Sequence, residues 1–266
     1  MTHESLVGTL ADTLSEAGLL FSVDGVVATV TLHRPDVRNA QTPAMWHALR
    51  DLAAAIPDDV RIVVVRGSGH SFSAGLDRAM LDPATGDVAR LLELDDAGVS
   101  AAIDEYQQGF TWLRDPRFVS IAAVQGYAIG AGFQLALSCD LRVVTEDAQF
   151  CMKEAALGLV PDLTGTKPLV AAVGYARALE ICATARMVGA AEAVDIGLAL
   201  AAVPADRLDA TVADLVAALT APLAGAVSET KRLLQSAAAS DLEEQRRLER
   251  EAQSRRFREL ASLMTG

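Results

Sequence analysis

FVSIAAVQGYAIGAGFQLALSC, residues 118–139, is the segment around which the architecture of the chain can be worked out. The run carries no charged side chain and is long enough to cross a bilayer. Against a membrane span, Gly126, Gly130 and Gly132 punctuate it, and Gln125 and Gln134 sit inside it. It reads instead as a buried strand over 118–124, a tight turn, and a buried helix starting near Ala131. A strand that turns into a helix is half of a βαβ unit, so its neighbours in sequence should supply further strands.

They do. Residues 61–66 enclose Ile62-Val63-Val64-Val65, a continuous apolar run of the kind buried on both faces of a sheet, and Gly67-Ser68-Gly69 ends it. Upstream, 19–23 and 26–32 are short runs joined by Asp24-Gly25, a strong hairpin signal, so the chain opens with an antiparallel pair. Thr42 can cap a helix with Pro43 in its first turn and Met45, Leu49, Leu52 and Ile56 at helical spacing. Residues 87–114 read as helical with a break near Gly98, and Pro116 closes them. Downstream, 141–145 is a third such strand, and from Pro161 nearly everything is helical except a short strand over 198–203. Helices over 222–234 and 242–260 finish the chain, the latter with Glu243/Arg247 and Glu251/Arg255 at supportive spacing. Strands alternating with helices predict an α/β fold with a largely parallel sheet.

Composition narrows the function. The 23 Lys and Arg against 35 Asp and Glu give a net charge of −12, which repels a phosphate backbone or an anionic bilayer; neither a nucleic acid nor a membrane is expected as partner. Cys139, Cys151 and Cys182 are odd in number and lack CxxC spacing, so neither a disulfide framework nor a zinc site is suggested, and a reducing cytoplasm fits. Residues 1–18 carry Glu4, Asp12 and Glu16 and no Lys or Arg, the wrong charge for a signal or transit peptide.

Three apparent sites fail on inspection. Gly130-Ala131-Gly132 lacks the third glycine of a dinucleotide fingerprint, since Leu135 stands there. Ser71-Phe72-Ser73-Ala74-Gly75 has Ser71 where a nucleophile elbow requires glycine. His3, His33, His47 and His70 show no metal-ligand spacing. What survives is a pair of glycine-bearing turns that follow hydrophobic strands, Phe72–Asp77 and Gly126–Gly132. Small residues let a ligand approach the backbone, and the second turn opens a helix whose free N–H groups lie at the positive end of its dipole. Two such amides converging on one point would bind an oxygen that gains negative charge. Taken singly, each turn reads more readily as a tight connection between core elements than as a ligand site.

The order of motifs is more specific than any one of them. Arg34-Pro35 and Arg38-Asn39-Ala40 come first, then the two turns, then Cys139-Asp140-Leu141-Arg142 and Ala148-Gln149-Phe150. Glu154 and Gly158-Leu159-Val160-Pro161-Asp162 follow. From about residue 20 to residue 204 this resembles the crotonase family, the enoyl-CoA hydratase/isomerase superfamily. The resemblance implies a crotonase-like spiral of ββα turns over 19–204, an N-terminal extension over 1–18, and a C-terminal helical region over 205–266 that serves oligomerisation, as a homotrimer or a hexamer. It implies a coenzyme A thioester as substrate and no permanently bound cofactor. Carried over residue by residue, the oxyanion donors are the backbone N–H groups of Leu76 and Ala131. Arg38, Ala40, Ser73, Ala74, Leu76 and Asp77 lie along the coenzyme.

Carboxylates decide the reaction. The family's hydratases use one glutamate at the position of Glu154 and a second where this chain has Gln134, and a neutral amide cannot take a proton from water. Glu154 stands in an apolar neighbourhood that should raise its pKa and suit it to proton transfer. Asp162 matches the spacing of the family's dienoyl-CoA isomerases, and it reads equally as a helix N-cap after Pro161. An enoyl-CoA isomerase is the expected activity; a hydratase using Glu154 with Asp162, and a non-catalytic acyl-CoA binder, are the alternatives. Arg246, Arg247, Arg250, Arg255, Arg256 and Arg258 read as a solvated, salt-paired helix face more readily than as phosphate ligands.

Overall fold

The computed structural model describes residues 11–82, 84 and 86–265; most of the expected extension over 1–18 lies outside them. Residues 11–16 are helical (α1) and lead into the hairpin of β1 (Leu19–Asp24) and β2 (Val27–Leu32), closed by Gly25 and Val26 with Gly25 at φ 53°. As predicted, Thr42 accepts a hydrogen bond from the Met45 amide and caps α2 (Pro43–Ala53), whose Met45, Leu49 and Leu52 are fully buried. β3 (Ile62–Gly67) follows, parallel to β2. The helical stretch beyond it divides into α3 (Asp87–Leu91) and α4 (Asp96–Thr111). The break lies at residues 92–95 and not near Gly98, because Asp95 caps α4 by accepting the Gly98 N–H at 2.8 Å.

The apolar run 118–139 forms β4 (Val119–Val124), β5 (Tyr127–Ile129) and α5 (Ala131–Ser138), with every residue of β4 and α5 buried. It is a core segment, as its glycines and glutamines indicate. β6 (Leu141–Thr145) and β7 (Gln149–Cys151) come next. Then follow α6 (Thr166–Val173), α7 (Tyr175–Thr184), β8 (Val188–Gly189), α8 (Ala190–Asp195) and β9 (Ala201–Val203). Three helices end the chain: α9 (Leu208–Thr220), α10 (Ala224–Ala237) and α11 (Leu242–Thr265).

The main sheet has the order β1-β2-β3-β4-β6-β9 and is parallel apart from the opening hairpin. Both its faces are covered. Val63 and Val65 of β3 join a core with α2 and α5, while Ile62 and Val64 face a second core closed by Leu208 and Val212 of α9. That division is why the β3 run shows no polar alternation. A second sheet, β5-β7-β8, stands apart, and its strands of two or three residues are too short to show a period in sequence. Among the described residues no single helix is long and apolar enough to cross a membrane; α9 and α10 reach that length only together with the short helical turn before α9, and they are bent by 99°.

Candidate active site

Backbone pairing lays the two glycine-bearing turns side by side. Ser73 N–H donates to Tyr127 O at 2.8 Å, and Ile129 N–H donates back to Ser73 O at 3.0 Å. Side chains would prevent so close an approach. A Cβ on Gly132 would stand 2.5 Å from Ser73 O, and one on Gly75 would overlap the Ile129 carbonyl and lie 3.5 Å from Ala131 N. Gly75 also holds φ +87°, a region that other residues enter at a penalty.

Within Phe72–Asp77 the amides of Phe72, Ser73, Ala74, Gly75 and Asp77 donate to Gln125 O, Tyr127 O, Arg38 O, Ser73 Oγ and Gln41 O respectively. Leu76 N–H alone in that run has no protein acceptor among the described residues. In the facing turn, Gly130 N–H bonds to Cys151 O at 2.8 Å, and the first amide bonded within α5 is that of Gln134, to Gly130 O at 2.9 Å. Ala131 N–H, at the buried start of α5, is free of an internal acceptor among the described residues. Two unpaired main-chain donors thus sit on adjacent turns, one of them at a helix N-terminus, an arrangement suited to an anionic oxygen.

A polar relay fixes the first turn from behind. Trp46 Nε1 donates to Gln41 Oε1 at 2.8 Å, Gln41 Nε2 donates to Ser73 Oγ at 3.1 Å, and Ser73 Oγ donates to Asn39 O at 2.7 Å. Arg34 reaches Asp77 Oδ2 at 2.8 Å and Ala40 O at 2.6 Å, while Asp77 also accepts the Ala79 amide. The Ala79 amide and the Arg34 guanidinium hold the Asp77 carboxyl below its usual range. The Arg38–Ala40 segment therefore adjoins the Phe72–Asp77 turn. Two of the residues expected along a coenzyme have other work: Ser73 has its N–H, C=O and Oγ all engaged internally, and Asp77 is latched to Arg34. Ala40 is buried, Ala74 half-buried, and Arg38 is exposed with its guanidinium 5.5 Å from the Tyr127 ring centroid. Gln41 and Trp46 went unnoticed in the sequence, where a buried glutamine leaves no periodic mark.

Glu154 lies at the end of the second sheet, beginning the short helical turn after β7. Because β7 pairs with β5 and receives the Gly130 amide, Glu154 comes beside the Ala131 turn: a Cβ on Gly130 would stand 3.4 Å from Glu154 Oε1. The residue is 8% exposed, so it is no solvated surface charge. Gln134 Nε2 donates to Oε1 at 2.7 Å, and Oε2 is buried without a hydrogen-bond partner among the described residues. Burial pushes its carboxyl above the usual range and the charge of Asp162 adds to this, against hydrogen bonds from its own amide and from Gln134.

Asp162 is half-buried, and burial pushes its carboxyl up as well. It is not a helix cap: α6 starts at Thr166, its N-terminal neighbour is Gly165, and no side chain caps it. Lys153, next to Glu154 in the chain, is exposed. The thiols of Cys139, Cys151 and Cys182 are free, and burial pushes that of Cys139 up to about 12. Among the described residues no group of three or more His, Cys, Asp or Glu could hold a metal ion. The C-terminal arginines Arg246, Arg247, Arg250, Arg255 and Arg256 pair with glutamates, but not all as their spacing suggested: Arg247 bonds Glu244 and Glu251 in place of Glu243, Arg255 reaches Glu229 of α10 in place of Glu251, and Arg256 is buried, not solvated.

Comparison with known proteins places the chain in a family. Residues 23–264 match the family described as enoyl-CoA hydratase/isomerase. A "probable enoyl-CoA hydratase" of Rhizobium meliloti (strain 1021) is 32% identical over 241 residues, covering 88% of this chain and 89% of its own. A mitochondrial "Delta(3,5)-Delta(2,4)-dienoyl-CoA isomerase" of Rattus norvegicus is 36% identical over 180 residues, 65% of this chain and 54% of its own. Among solved structures, a "putative enoyl-CoA hydratase" of Thermobifida fusca YX in complex with acetoacetyl-CoA is 49% identical, with a TM-score of 0.89 over 94% of this chain and 98% of that one.

Proposed function

The chain belongs to the enoyl-CoA hydratase/isomerase family and has its crotonase-like α/β fold, and from that premise we propose that it moves a double bond along the acyl chain of a coenzyme A thioester. The thioester oxygen accepts hydrogen bonds from Leu76 and Ala131 as it becomes enolate-like. Glu154 removes a proton from one carbon and returns it to another.

The observation that carries this reading is the state of Glu154: a buried carboxylate beside the Ala131 turn, with Oε2 unpartnered among the described residues. Such an atom suits a base that exchanges a proton with a guest. Hydration needs a second group to hold and deprotonate water, and the residue at that position is Gln134, whose Oε1 already accepts two backbone amides. The alternative, hydration with Asp162 as second acid, draws support from the electrostatic contact between Asp162 and Glu154. The acetoacetyl-CoA held by the Thermobifida relative supports the thioester as ligand. The reading extends to a homotrimer or hexamer, for which the exposed Leu234 and Phe257 of the C-terminal helices offer an apolar surface.

Incubating the protein with 3-enoyl-, 2-enoyl- and dienoyl-CoA in heavy water tests the assignment. Bond migration with deuterium incorporation is the expected result. A 3-hydroxyacyl product would replace it with hydration, and tight binding without turnover would replace both with a binder.

A further inference from the structure

Gln134 is completely buried, and three hydrogen bonds tie it to two separate segments. Its Oε1 accepts from Leu163 N at 2.8 Å and from Gly165 N at 3.2 Å, and its Nε2 donates to Glu154 Oε1 at 2.7 Å. The orientation of the amide is settled by chemistry. Backbone N–H groups only donate, so the oxygen must face residues 163–165 and the nitrogen must face the carboxylate. The contact with the turn is tight as well: a Cβ on Gly165 would stand 2.7 Å from Gln134 Cγ. Thr164, between the two donors, holds φ +67°, a left-handed conformation that a threonine keeps only when its surroundings impose it.

We propose that Gln134 is the positioning residue of this site: one end holds Glu154 Oε1 and the other holds the 163–165 turn, which leaves Glu154 Oε2 as the proton-transfer atom and sets Asp162 beside it. This rests on the reading of Glu154 as the base and adds the device that aims it. Both lone pairs of Gln134 Oε1 are taken, so it has no acceptor to offer a water molecule. An acidic side chain at the same place would keep both backbone bonds but would set an oxygen against Glu154 Oε1, and the two carboxyls would then have to share a proton. The other titratable groups around Glu154 are Asp162, Cys151 on β7 and Cys182 on α7; burial raises both thiols, which keeps them neutral.

The test is a carboxyl-carbon NMR titration of Glu154 in the full chain, assigned against Glu154→Gln, together with hydrogen exchange at the Leu163 and Gly165 amides. Gln134→Met removes both ends of the clamp. The expected result is a Glu154 pKa above that of the wild type and exchange at both amides at least about tenfold faster, as for donors that lose their acceptor. Gln134→Glu keeps the acceptors and removes only the donor. Its two amides should stay protected while the apparent pKa of the Glu154 pair rises by about one unit or more. If Glu154 titrates in Gln134→Glu as in the wild type, the proposal is overturned, and that variant decides the matter even where Gln134→Met does not fold. The titration needs no substrate. A chain that fails to exchange acyl protons would therefore remove the isomerase reading and leave the clamp to its own result.

Discussion

Lys231 Nζ lies 2.7 Å from Asp140 Oδ2, joining α10 to the start of β6 across 91 residues of sequence. The same ammonium donates to Asp115 O and Phe118 O, and Asp140 also accepts the amide and hydroxyl of Ser120. The pair is the rivet between the C-terminal helices and the edge of the apolar core. Desolvation lowers the lysine's pKa while Asp140 holds it up, so each charge depends on its partner. Removing one member of such a buried pair leaves the other uncompensated. Lys231→Met should destabilise the chain by about 3–5 kcal/mol in urea unfolding, whereas a surface reading would place the loss below ~1 kcal/mol.

If Glu154 is the base, it and Asp162 should give activity and stability opposite pH dependences. Burial raises both carboxyls, and proton abstraction requires Glu154 ionised, so turnover should fall as pH drops through its raised pKa. For stability, the folded chain keeps protons that the unfolded chain has already released. The contribution is fully present below the unfolded carboxylate range and is lost as pH rises through the folded values. Glu154→Gln should therefore abolish acyl proton exchange and stabilise the fold at neutral pH by about 0.5–2 kcal/mol, the gain that follows when a strained functional group is neutralised. Melting temperatures across that pH range, for the wild type, Glu154→Gln and Asp162→Asn, check the sign; variants less stable than the wild type at neutral pH would refute it.

How much of this is legible in the amino-acid sequence depends on the range of the interactions involved. The hairpin at Gly25, the Thr42 cap and the doubly buried β3 follow from local chemistry and match the sequence reading closely. The second sheet is hidden because its strands have two or three residues and derive their pairing from partners as far apart as Gln149 and Gly189. The Cys139-to-Arg142 motif was visible as a pattern. Its reasons, Asp140 holding Lys231 and Arg142 donating to Ala136, Cys139 and Leu198 carbonyls, exist only in the folded chain. Asp162 illustrates the limit: capping preference alone favoured a helix start there, but the turn continues to Gly165, where Gln134 takes the amide. Gln134 itself could be read from sequence only as a missing acid.

Gly75→Ala tests whether the two turns must touch. The new methyl group would overlap the Ile129 carbonyl, and the backbone holds φ +87°, so both sterics and conformation oppose it. Backbone atoms on each side leave no flexible side chain to yield. The substitution should cost about 1–3 kcal/mol in stability. It should also lower turnover by more than the folded fraction explains, since it parts Leu76 from Ala131. Comparing the rate per folded molecule at a temperature well below melting separates the two effects, and a rate that simply follows the folded fraction would count against a shared site.

Ala131 allows the donor itself to be deleted. It is the first residue of α5, a position where proline is favoured because the N–H has no partner inside the helix. Ala131→Pro removes that N–H and sets a ring carbon where the thioester oxygen would lie, while Gly130 before it has no side chain to meet the ring. Ala131→Gly keeps the donor and removes only the methyl group, so it should retain most of the rate and lose at most about 1 kcal/mol of stability. The proline variant should lose about 10²–10³ in turnover, the usual consequence of removing one oxyanion donor. The contrast is informative because the two variants differ from the wild type by atoms on opposite sides of the same residue. If the turn were only a packing junction, both would follow the melting temperature, and the proline, well placed at a helix start, would be the milder of the two. If the main-chain amide grips the reacting oxygen, the order of activity reverses the order of stability.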